Sequence, residues 1–207
     1  MKKILAASLI LLSLALGGCS SDNSPRITAL AEQPRIVLDV RSISLADRTL
    51  PTSDSLYTLN RFSPTIAESV RKWAANHLQA VGQTGQAIIV LKDASLTAQP
   101  LPKKSGMDSW FTRQQSVRYT GRAELSIEVK GIEGGKDSFG TVEASAIRSV
   151  TLPEDPHDME KQDAYEALLT GLMTDLQEHL NEGIRAHLSR FVITAPLSPT
   201  LGNLEQP

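Results

Sequence analysis

Between Val117 and Val129 apolar or small residues alternate with polar ones without exception. Val117, Tyr119, Gly121, Ala123, Leu125, Ile127 and Val129 hold the odd positions, and Arg118, Thr120, Arg122, Glu124, Ser126 and Glu128 hold the even ones. A strand sends successive side chains to opposite faces, whereas a helix would spread this pattern around its axis. The run therefore predicts a strand about 43 Å long, at roughly 3.3 Å per residue, with one face on a core and the other in water. Gly131 to Asp137 reads as a Gly-rich hairpin connection, and a return strand is expected over Ser138–Val150. Val142, Ala144, Ala146, Arg148 and Val150 share one side of that strand, and the small residues among them would let a helix lie close.

The flanking segments supply the cover such a sheet needs. Ile36–Ile43 is a β-branched strand candidate, and residues 44–62 read as loop around Pro51. Ser63-Pro64 is expected to open a helix, with Ser as N-cap and Pro at the first helical position. Ile66, Val70, Trp73, Ala74, His77 and Leu78 then form an apolar stripe, and Gly82 is the expected terminator. Ala87–Leu91 reads as a central strand that continues to Leu96 and stops at Pro100 and Pro102. A last helix is expected from Pro156 to Phe191, capped by Asp155, with Gly171 and Gly183 as bend sites. The order β-α-β-β-β-α gives an α+β fold, a two-layer sandwich of a mainly antiparallel four-stranded sheet packed by two helices.

The N-terminus carries an address. Lys2 and Lys3 precede an apolar run from Ile4 to Leu16, which has the length of a signal-peptide core and is short for a bilayer span. It ends in Leu16-Gly17-Gly18-Cys19-Ser20, which resembles the lipobox of bacterial lipoproteins. An ordinary secretory signal or an uncleaved anchor are the other readings of the same residues. The resemblance implies that Cys19 becomes the lipidated first residue of the mature chain, so that the membrane is a partner through that lipid. Ser20 in place of Asp implies export to the outer membrane, facing the periplasm, rather than retention at the inner one. The expected organisation is a signal peptide over 1–18, a tether over 19–34, one α+β domain over 35–193 and a disordered tail over 194–207. The chain has 21 Lys and Arg against 23 Asp and Glu, a net charge of −2, and loss of Lys2 and Lys3 makes it −4.

That balance argues against nucleic acid as the main partner. A single Cys excludes an internal disulfide and a Cys-based zinc site. No Ser lies in Gly-x-Ser-x-Gly, and Gly131-Ile132-Glu133-Gly134-Gly135 lacks the P-loop lysine and its strand-to-helix setting. Glu124 and Glu128 alternate with Arg118, Arg122 and Lys130, which reads as ion pairing on a wet face. His179 and Glu182 have helical spacing but no third ligand, and His77 reads as a packed or half-exposed residue. We expect no enzyme activity, no catalytic residue, no metal and no cofactor.

Leu101–Arg113 is a loop by its Pro and Gly, yet it carries Met107, Trp110, Phe111 and Arg113. These residue types suit a partner contact, a lipid surface or a small satellite core, and the loop alone does not choose among them. Lipobox, chain length and element order together resemble small Gram-negative envelope lipoproteins, namely the LptE-like, YajG-like and PqiC-like (ABC-transport auxiliary) groups. The matching stretches are Ser63–Gly82, Ala87–Leu96, Arg113–Lys130 and Tyr165–Phe191. The resemblance implies an accessory role with an envelope protein partner, in lipid or lipopolysaccharide transport or envelope assembly. The alternative is direct binding of a lipid or acyl ligand over the small residues Gly121, Ala123, Ala144 and Ala146.

Overall fold

The alternating run becomes the middle of a 19-residue strand. A computed structural model of the chain describes residues 35–50, 62–102, 115–133 and 135–193. The strands are β1 (Ile36–Leu38), β2 (Ser42–Asp47), β3 (Leu78–Ala80), β4 (Gln86–Pro100), β5 (Gln115–Glu133) and β6 (Lys136–Pro153). The helices are α1 (Ile66–His77) and α2 (Asp158–His187), followed by a short 3-10 turn at Ser189–Phe191. The main sheet runs β2-β4-β5-β6, and β1 pairs with β3 as a separate two-stranded strip. β2 lies parallel to β4, while β4–β5 and β5–β6 are antiparallel. This is the expected α+β fold with a mainly antiparallel sheet, in which β2 is the parallel member.

On β5 the odd residues from Gly121 to Gly131 are buried. Both helices lie on that face. A Cβ on Gly121 would stand 2.6 Å from Leu168 of α2 and 3.3 Å from Ile66 of α1. The small inner residues of β6 admit α2 closely, as expected, and a Cβ on Gly183 would meet Val142 at 2.6 Å. At the other end, the Tyr165 hydroxyl donates to the Pro64 carbonyl at 2.6 Å, and Phe62 stacks on Tyr165 with ring centroids 4.5 Å apart. Burial, with Glu68 nearby, pushes the Tyr165 phenol up to about 12. No helix among the described residues is long and apolar enough to cross a membrane.

Several local expectations are corrected. The first β run splits into β1 and β2, and residues 44–47 of the expected loop belong to β2. α1 starts at Ile66, because Thr65 accepts from the Glu68 N–H at 3.2 Å while Glu68 accepts from the Thr65 N–H at 2.8 Å. This reciprocal capping box satisfies two free amides, which Ser63 two residues earlier does not reach. Gly82 does not end that helix. α1 passes directly into β3, and Gly82 instead lies against β1's continuation, with its N–H donating to the Val40 carbonyl at 2.9 Å. Most of the expected hairpin connection is strand: Gly131 pairs with Ser138 and Glu133 with Lys136, leaving a two-residue link in which Gly135 takes φ +79°. α2 is 30 residues long rather than 36. Its N-cap is His157, whose N–H donates to Glu160 at 2.9 Å, while Asp155 sits in the preceding turn at φ +46°.

Arg148 of β6 grips Asp175 of α2 through both ends of its guanidinium, at 2.5 and 2.6 Å. The hydrogen bonds from Arg148 hold the Asp175 carboxyl below its usual range, against the opposing effect of burial. A lowered native pKa stabilises the fold at pH above the unfolded value, and the contribution disappears as pH falls through the native value. Asp175→Asn is therefore expected to lower the urea midpoint at neutral pH. The gap from wild type should begin to narrow below about pH 3.9, the unperturbed Asp value, and close as pH falls through the lower native value. A gap that persists in acid would assign the loss to packing.

Candidate functional site

Cys19, Met107, Trp110, Phe111 and Arg113 all lie outside the described residues. Among the described residues, two surfaces open to contact are the outer face of the sheet and its β6 edge. On the outer face the register aligns three rows across β4, β5 and β6: Gln86-Lys130-Phe139, Ile88-Glu128-Thr141 and Val90-Ser126-Glu143. The first two rows enclose an open depression of about 270 Å³. Lys130 lies over the Phe139 ring, with Nζ 5.2 Å from its centroid. Phe139 and Ile132 are each more than half exposed and lie diagonally across the hairpin, so this end of the wet face carries two exposed apolar side chains beside Lys130.

Farther along, the same face is charged and ion-paired. A bulge in β4 between Leu91 and Asp93 leaves Lys92 outside the ladder. Its Nζ stands 2.7 Å from Glu143 and 3.9 Å from Glu124, and Arg122 stands 3.8 Å from Asp93. The Glu143 carboxylate holds the Lys92 ammonium above its usual range. Glu124 is thus an ion-pair partner, as its alternation with basic residues predicts. Ser126 is buried among these side chains, and its hydroxyl has no partner among the described residues.

The inner face offers little room. Leu168, Ile66 and Leu172 crowd the space over Gly121, and Ala123, Ala144 and Ala146 are buried in the same core. His77 is buried, stacks on Trp73 and donates from Nδ1 to the Trp73 carbonyl at 3.0 Å. His179 does not pair with Glu182 as a ligand set; its Nδ1–H donates to the Ser145 carbonyl of β6 at 2.8 Å. Arg190 reaches the Phe139 carbonyl of the same strand. Among the described residues no three His, Cys, Asp or Glu side chains are grouped to hold a metal.

The outer face thus combines two exposed apolar side chains at one end with an ion-pair network of two cations and three carboxylates. Sequence reasoning missed Phe139 and Ile132. The signal was present, since Phe139 occupies a wet position of the return strand where the alternation calls for a polar residue. The edge-capping roles of His179 and Arg190 had no local signal, because they depend on how α2 crosses β6.

No family model matches the chain, and no curated protein matches its sequence. Among solved structures, the chain is similar to a minor lipoprotein from Acinetobacter baumannii, at 14% identity and a TM-score of 0.35, over 72% of this chain and 96% of that one. It is also similar to the rare lipoprotein B from Shewanella oneidensis, at 14% identity and a TM-score of 0.32, over 70% of this chain and 96% of that one.

Proposed function

We propose that this protein is a lipid-anchored, periplasm-facing accessory protein of the Gram-negative cell envelope. It works by contact with envelope partners in lipid or lipopolysaccharide transport or in envelope assembly, and not by catalysis. The observation that carries this reading is Leu16-Gly17-Gly18-Cys19, placed directly behind an apolar run that follows Lys2-Lys3. One acyl chain binds a bilayer marginally, whereas two or three, at about 0.8 kcal/mol per buried CH2, anchor it stably. Ser20 favours the outer membrane. The outer face of the sheet, with Phe139 and Ile132 exposed, supports a role in contact. Binding of an acyl chain between helices and sheet is the weaker reading, because helix side chains crowd the space over Gly121.

The test is Cys19→Ser with radiolabelled palmitate and membrane fractionation. Wild type is expected to take up label and sediment with outer membranes, while the variant loses the label and appears in the soluble fraction. Unlabelled wild type would refute the anchor, and label confined to inner membranes would refute the assigned membrane. Crosslinking in the native envelope that recovers no envelope component would refute the contact role.

A further inference from the structure

On the β6 edge two outward carbonyls accept from side chains, and beyond the second of them no outward group is capped among the described residues. Register and capping together show which backbone groups face outward. The Ser145 carbonyl is taken by His179 and the Phe139 carbonyl by Arg190, both side chains arriving from beyond the sheet. Backbone groups of a strand alternate in direction, so the odd residues of β6 point away from β5. Ile147, Ser149 and Thr151 share that parity, and among the described residues nothing caps them. Pro153, which lacks an N–H, ends the stretch.

We propose that this stretch pairs with the same stretch of a second copy of the chain, antiparallel and centred on Ser149. Ser149 lies midway between the capped Ser145 and Pro153, so a two-fold axis there sets each copy's Pro153 against the other's capped Ser145. The ladder thus stops at both ends for the same two reasons. The opposed pairs are Ser149 with Ser149, Ile147 with Thr151 and Arg148 with Val150. No like charges face each other, because Arg148 is the only charged residue between Ser145 and Pro153. Asp175 also holds Arg148 back against α2. Odd residues meet odd residues, so both outer faces stay on one side and both helix layers on the other. The ladder supplies about six main-chain hydrogen bonds and joins two four-stranded sheets into one. An exposed strand edge is a ready template for such addition.

This inference is independent of the lipid anchor, and its test leaves the anchor untouched. Full-length protein in detergent is measured by native mass spectrometry and by oxidative crosslinking. Wild type is expected to contain a dimer. Ser149→Lys places like charges opposite each other at the axis and is expected to abolish that dimer while leaving the thermal unfolding profile folded and cooperative. Ser149→Cys brings two thiols together across a hydrogen-bonded pair, where the Cα separation of about 5.5 Å suits a disulfide. It is expected to give a covalent dimer that wild type, with only Cys19, does not give. Thr141→Cys, on the part of the edge flanked by Arg190 and His179, is expected to give none. A strictly monomeric wild type, a dimer indifferent to Ser149→Lys, or disulfide capture of a different protein by the Ser149→Cys variant in cells would each overturn the proposal.

Discussion

Leu172→Ala is expected to lower the free energy of unfolding by about 4–5 kcal/mol, near the top of the range for a buried leucine. Leu172 is fully buried on the inner side of α2, and its Cδ2 lies 3.4 Å from where a Cβ of Gly121 would be. Truncation therefore opens a cavity above a glycine. The floor of that cavity is strand backbone, which is hydrogen-bonded on both sides and has no side chain to swing inward. Cavity cost grows when the surroundings do not relax, and here they are poorly placed to do so. Urea unfolding should show a lower midpoint with an unchanged slope. A loss below about 2 kcal/mol would mean that Ile66 and Leu168 collapse into the space.

Gly82→Ala is the second large effect, and it adds a single carbon. That carbon would stand 2.4 Å from Asp39 Oδ1 and 2.6 Å from both the Asp39 carbonyl carbon and the Val40 nitrogen. Two of the three atoms are backbone, so no rotamer change relieves the contact. The strip formed by β1 and β3 must open, with loss of the bonds from the Val81 N–H to Leu38 and from the Gly82 N–H to Val40. The expected cost is about 3 kcal/mol, the upper part of the usual range for overpacking. Hydrogen exchange should show lost protection at residues 81 and 82 while the β5–β6 ladder stays protected. An alanine variant with wild-type stability and protected amides would refute the close approach.

These two positions show where the sequence was readable and where it was not. Leu172 was legible as core, because helical spacing from Tyr165 through Leu188 marks one face of α2 whatever lies beneath it. That the residue beneath is Gly121 follows only from packing. Gly82 was legible as a special position, since a glycine after an apolar stripe invites a helix end. Its actual role depends on a contact with residues 39 and 40, about forty positions away, which local pattern does not reveal. The candidate surfaces divide the same way. The wet face of β5 follows from alternation alone, and so does the pairing of Glu124 with a basic residue. The bulge that delivers Lys92 to that face depends on how β4 fits its neighbours.

The strict alternation on β5 and the helical stripes determined the element types and the α+β class, because each depends on side-chain periodicity along one short segment. The apolar run ending at Cys19 likewise stands on local sequence, and the proposed anchor rests there. Tertiary structure alone decided the parallel placement of β2, the split of the first strand, and the capping of the Phe139 and Ser145 carbonyls on the β6 edge by Arg190 and His179. Each of these depends on hydrogen bonds between residues far apart in the chain. Their partners are selected by the packing of whole elements, and in particular by the path of α2 across β6.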